Sequence, residues 1–229
     1  MPGVRTHAAP ALGAVWLVLE APALCLSGAG AAYRSEKRGI ARRLSRRQPG
    51  DVVLFIDWTL VRLFPPLRAA WSRRGEQALV PITGQNAKRV LFGAINLHTG
   101  RRVVLISKRA GGAEARAFFE ELRRRYWQAG RIWLLLDRAS AHTNDKTLRL
   151  ADELRIKLVW LPKQWPELNA MDQLWKELKQ RIAANRQAAS IDTLAQEAVD
   201  WILSLSRQEA LRKAGILSPR FWLKHLLQN

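Results

Sequence analysis

Val52-Val53-Leu54-Phe55-Ile56-Asp57 is a short apolar run closed by a carboxylate. A run of this length with β-branched and aromatic residues predicts a buried strand. Ile132-Trp133-Leu134-Leu135-Leu136-Asp137 repeats the pattern. A third run, Lys157-Leu158-Val159-Trp160-Leu161, is stopped by Pro162. Between the first two, Arg89–Leu97 and Arg102–Ser107 are strand-like and are separated by the turn His98-Thr99-Gly100-Arg101, which predicts a hairpin. Residues 62–87 are rich in Pro, Arg and Gly and read as loop with room for short strands.

Helical spacing takes over elsewhere. Phe118, Phe119, Leu122 and Tyr126 predict a helix over 113–128, and further helices are expected over 146–154, 170–184, 191–205 and 207–215. Strands that come first as a meander and later alternate with helices predict an α/β fold, a mixed sheet flanked by helices.

An aspartate at a strand end is commonly a turn former or a helix cap. Two of them closing two buried strands of a basic protein also fit a pair of carboxylates for a hard cation, because ligand sites gather near strand ends. A third acid, Asp172, lies in Pro166-Glu167-Leu168-Asn169-Ala170-Met171-Asp172-Gln173-Leu174-Trp175, with 34 residues between it and Asp137. With Asn169 as N-cap, Asp172 falls at the third helical position and could be a capping acid suited to the helix dipole. It also borders the apolar stripe Met171, Leu174, Trp175, Leu178 and Ile182, so it can face the sheet.

The chain has 229 residues and 48% are apolar, enough for one large domain with a sizeable core. Its single cysteine, Cys25, excludes an internal disulfide framework, and no Cys/His cluster suggests structural zinc. The 38 Lys and Arg against 19 Asp and Glu give a net charge of +19, which points to a polyanion, first of all nucleic acid. Residues 1–50 carry eight basic and two acidic residues, so most of the excess lies in 51–229. Arg34, Arg38, Arg42 and Arg46 recur every four residues, and a helix or arm over 34–50 would align them for solvent or for phosphates.

Residues 8–33 are apolar but are cut by Glu20, Pro10 and Pro22 into uncharged runs of 12 and 13 residues. A membrane span needs about 20. Arg5, the apolar stretch and Ala29-Gly30-Ala31 imitate a secretory signal, yet nothing downstream looks secreted. Segment 1–33 therefore reads as an atypical or poorly ordered N-terminus ahead of a domain over 51–229.

Several segments together resemble the catalytic part of mariner-like bacterial insertion-sequence transposases of the DDE superfamily. They are Leu54-Phe55-Ile56-Asp57, Leu63 through Trp71, Leu134 through Asp137 with His142, Leu161 through Trp175, and Ala210 through Pro219. The resemblance covers roughly residues 35–225 and implies an RNase H-like fold. It also implies that Asp57, Asp137 and Asp172 are the catalytic acids and the ligands of a two-metal Mg²⁺ or Mn²⁺ site. His142 would position a substrate phosphate or water. Trp58 and Trp165, beside the acids, could stack on a base, whereas Trp133 and Trp175 suit the core.

The implied reaction is hydrolysis at transposon ends followed by attack of the freed 3′-hydroxyl on target DNA. Implied partners are end and target DNA, with a homo-oligomer assembled on it, in the cytoplasm at the nucleoid and without a membrane. Residues 1–50 are too short for the family's N-terminal helix-turn-helix region, so either a separate polypeptide supplies it or the chain cannot find its ends. Where the family usually has Glu, Ser, Pro and His, this chain has Trp58, Trp165, Ala170 and Gln173. Because these flank the acids, an inactive DNA-binding derivative is one alternative. An RNase H-like nuclease acting on structure is another.

Overall fold

The computed structural model describes residues 29–69, 71–163 and 165–227. Cys25 and nearly all of the apolar segment 1–33 lie outside them.

Five strands form one sheet: β1 (Val52–Arg62), β2 (Lys88–Asn96), β3 (Arg102–Ser107), β4 (Ile132–Leu136) and β5 (Ile156–Trp160), in the order β3-β2-β1-β4-β5. The hairpin is as expected: β2 runs antiparallel to both β1 and β3. β4 is parallel to β1 and to β5, joined through helical crossovers. Strand β1 continues well past Asp57, because Trp58 to Arg62 still pair with β2 after the partnership with β4 has ended. The segment after it has no strand among its described residues.

Alternating side chains split the sheet into two faces. Leu54, Ile56, Leu134 and Leu136 pack under α2 (Gly112–Arg125), the one-turn α3 (Ser140–Thr143) and α4 (Asp145–Glu153). Val53, Phe55, Trp133 and Leu135 pack on the other face. That face is covered by α1 (Ala29–Leu44), α5 (Ala170–Leu178), α6 (Ile191–Ser204), α7 (Arg207–Lys213) and the C-terminal turn Lys224–Leu227.

Two helices differ from expectation. The helix over 34–50 starts earlier and ends at Leu44, so Arg46 lies in the following turn. It is docked through Ile40 and Leu44. Arg43 on the helix and Arg47 beyond its end donate to the carbonyls of Leu158 and Leu226 respectively. The helix over 170–184 is regular only to Leu178 and widens into a π-turn at Lys179–Ala183. Asn185, at φ 55°, then reverses the chain and grips the segment after β1: its carboxamide accepts from the Arg68 amide (2.7 Å) and donates to the Arg68 carbonyl (3.0 Å).

Candidate active site

Asp57 and Asp137 reach the same level of the sheet for a simple reason. Phe55 stands opposite Leu135 in the parallel pair, and each aspartate is two residues further on. Two residues also restore the face, so both carboxylates point to the side of Phe55 and Leu135, where α5 packs. Trp58, one residue on, points the other way into the α2 face, so it is removed from the acids.

Two contacts bring α5 to Asp57. The partner of Asp57 on β2 is Gly93. A β-carbon there would fall 2.5 Å from the Trp175 ring and 2.6 Å from the Met171 methyl, so the helix rests directly on the bare backbone. Asn169, buried at the helix start, accepts from the Met171 amide (3.1 Å) and donates to the Ile56 carbonyl (3.0 Å). The cap of α5 is thereby bonded to the residue preceding Asp57. Sequence identifies Asn169 as a cap, but its second bond joins positions 113 residues apart and leaves no local signal.

The Asn169 amide, which a capping acid would have to reach, donates to the Pro166 carbonyl (2.9 Å), so Asp172 is not a capping acid. Its carboxylate instead lies 3.0 Å from Lys176 Nζ, one helical turn on. Asp57, Asp137 and Asp172 line one open cavity of about 490 Å³, together with Arg138, Lys163, Trp165 and Asn169. Arg138 and Lys163 are exposed cations that the motif reading passed over.

The electrostatics are those of crowded acids. The Asp57 carboxyl is pushed up to about 7, first by burial and then by the charges of Asp137 and Asp172. Asp137 is held below the usual carboxylate range, chiefly by the hydrogen bond from His142. His142 Nδ1 is 3.0 Å from Asp137 Oδ1, and its ring stacks at 6.4 Å on Phe119. It is only 2% exposed, and it does not line the cavity. Its contact is with the acid, and a role for it toward substrate would have to pass through Asp137.

The oxygen donors suit Mg²⁺ or Mn²⁺. A carboxyl that its neighbours drive toward the proton is one that a divalent cation would restore to the charged form. Among the described residues no three His, Cys, Asp or Glu side chains converge on a single point. Trp165 lines the cavity as expected, and Trp175 and Trp133 are core residues. Arg34, Arg38, Arg42 and Arg46 are exposed and do not line the acid cavity; Arg34 and Arg38 border a separate hollow beside α1. No described helix is long and apolar enough to cross a membrane.

The profile of a family described as DDE superfamily endonuclease matches residues 52–195. A Shigella sonnei protein, "Insertion element IS630 uncharacterized 39 kDa protein", is 29% identical over 188 residues, covering 80% of this chain and 52% of that protein. The chain thus spans about half the length of this relative. Among solved structures, the Mos1 transposase paired-end complex with left transposon end has a TM-score of 0.67 at 15% identity, covering 93% of this chain and 67% of the other. The mariner Mos1 paired-end complex with Mg has a TM-score of 0.65 at 16% identity, covering 95% and 67%. The fold is RNase H-like, as the resemblance implied. These comparisons favour neither the inactive derivative nor the generic nuclease.

Proposed function

Because the chain belongs to the DDE superfamily endonuclease family, we propose that it is the catalytic part of an insertion-sequence transposase, cutting DNA at element ends and transferring the strand. The observation that carries the reading is the meeting of Asp57, Asp137 and Asp172, from two strands and a helix, on one cavity. Residues 51–229 form the catalytic domain in this reading, with α1 docked on it.

Asp57 is the most enclosed acid and feels the charges of the other two, and Asp57, Asp137 and Asp172 together would hold the divalent cations. A bound Mg²⁺ or Mn²⁺ pair supplies charge neutralisation on the phosphate and activation of the attacking oxygen. His142 fixes the Asp137 carboxylate from beneath. Asn169 sets the distance from α5 to β1, and Lys176 holds Asp172 until a cation replaces it. Arg138 and Lys163 offer positive charge to the phosphodiester at the cavity mouth. In the first step water attacks phosphorus and the 3′-oxygen leaves, taking a proton. In the second that 3′-hydroxyl attacks a target phosphate, the target's own bond from phosphorus to its 3′-oxygen breaks, and the proton of the attacking hydroxyl ends on the departing 3′-oxygen. The same acids serve both, since only the nucleophile changes. End DNA, target DNA and a second copy of the chain are the partners this reading requires.

The test is nicking and joining of DNA carrying the element ends, with Mg²⁺ or Mn²⁺ and with EDTA. Activity should need the cation and vanish in Asp137→Ala. Nicking that persists in that variant would sink the assignment of the acids.

A further inference from the structure

Beside the acid cavity, α1 and the C-terminal segment enclose two adjoining hollows of about 260 and 340 Å³ that share Lys37 and Trp222. Tyr33, Phe221 and Trp222 give their walls aromatic surface, and Glu167 is the one acid among the lining residues. Lys37 Nζ lies 4.7 Å over the Tyr33 ring and 6.0 Å from the Trp222 ring. Tyr33 in turn meets Trp165 edge-on, with centroids 4.7 Å apart, and Trp165 is a wall of the acid cavity. The three rings are half-buried, so each keeps part of its surface open. The rim is cationic: Arg34 and Arg38 are exposed on α1, and neither forms an ion pair with a described carboxylate.

We propose that this groove binds an unpaired DNA strand and leads it to the acids, an inference that rests on the DNA-processing function proposed above. Two features together select the ligand. Aromatic surfaces stack on bases only when the bases are free of a duplex, and a positive rim follows the phosphates without reading sequence. A duplex would engage the rim but could not reach the rings. Lys37, seated over two of those rings, would move to a phosphate as a base takes its place.

The experiment uses the full chain in EDTA, so that binding is read apart from cleavage. Fluorescence anisotropy compares a labelled oligo-dT strand with a duplex of equal length, for wild type, Lys37→Glu/Arg38→Glu, Trp222→Leu and the control Arg124→Glu/Arg125→Glu. The control reverses the same number of charges on α2, across the sheet. Loss of one stacked base corresponds to about tenfold in affinity. Trp222→Leu should therefore weaken oligo-dT by about that factor and leave the duplex nearly unchanged. The α1 reversal should weaken oligo-dT well beyond the control. Because the Trp222 indole also donates to the Leu168 carbonyl (3.1 Å), circular dichroism accompanies that variant, and the exposed Arg38 carries the test if it unfolds. Equal losses for strand and duplex in a folded Trp222→Leu, or equal effects of the two charge reversals, overturn the groove. End nicking in Mg²⁺ would still proceed in that case, so the failure of the groove and that of the proposed function are told apart.

Discussion

At Asp57 the chain holds a carboxyl where burial and two like charges oppose ionisation. Its ordinary value of 3.8 is raised to about 7. Between these values the folded protein binds a proton that the unfolded chain has already released. Stability without metal therefore falls as pH rises from about 4 to about 7. At about 1.4 kcal/mol per pKa unit the loss could reach about 4 kcal/mol. Urea unfolding in EDTA at pH 5 and pH 7.5 checks the sign, and Asp57→Asn should flatten the difference. A cation must displace this proton, so its apparent affinity should weaken as pH drops below about 7, read as a shrinking Mn²⁺-induced rise in Tm.

The buried His142 belongs to the same scale. Loss of the partner that orients a ligating group typically costs 10–100-fold. His142→Ala should lower kcat by about that factor with KM little changed, while His142→Asn, which keeps a donor near the Nδ1 position, should recover part of it. An equal loss in both variants would mean that packing on Phe119, and not the bond to Asp137, is what matters. Asp57 and Asp137 are readable because an acid closing an apolar run is a local pattern, although β1 itself runs on to Arg62. The burial of His142 is not, since it depends on α2 supplying Phe119 from earlier in the chain.

At the scale of elements, the placement of α5 decides whether Asp172 reaches the other acids. Gly93→Ala puts a methyl into the Trp175 ring and the Met171 methyl. Overpacking of this kind costs about 1–3 kcal/mol. The helix should be pushed off the sheet, with a lower Tm and a loss of nicking larger than the loss of fold. Asn169 tests the same placement through bonds. Asn169→Asp keeps the cap on Met171 but turns an oxygen toward the Ile56 carbonyl, whereas Asn169→Ala loses both bonds at about 1 kcal/mol for the cap alone. If spacing between α5 and β1 governs catalysis, both variants should nick poorly although only the alanine loses the cap.

Strand and helix identities at this scale were largely legible from periodicity, as in β4, which runs over the same residues as the apolar run that predicts it. Ends were less so. The apolar stripe of α5 continues to Ile182, yet the regular helix stops at Leu178. The grip of Asn185 on the Arg68 backbone, 117 residues away in sequence, accompanies that early end.

For the whole molecule, charge and chemistry separate. The net charge is +19, and the three acids of the cavity are a small local exception to it. Phosphate contacts hold DNA without reading its sequence, and their strength falls steeply with salt. Asp57→Asn removes one negative charge from a cavity that must receive a phosphate. It should therefore bind DNA at least as tightly as wild type while failing to nick it. Filter binding and nicking of the same plasmid, run side by side from 50 to 200 mM NaCl, separate the two effects. Wild type and variant should lose affinity together along parallel salt slopes, because the surface arginines and lysines are unchanged, and only wild type should show cation-dependent nicks at the low-salt end. A variant that bound DNA much more weakly would place Asp57 in the architecture of the DNA-binding surface and remove it from the chemistry.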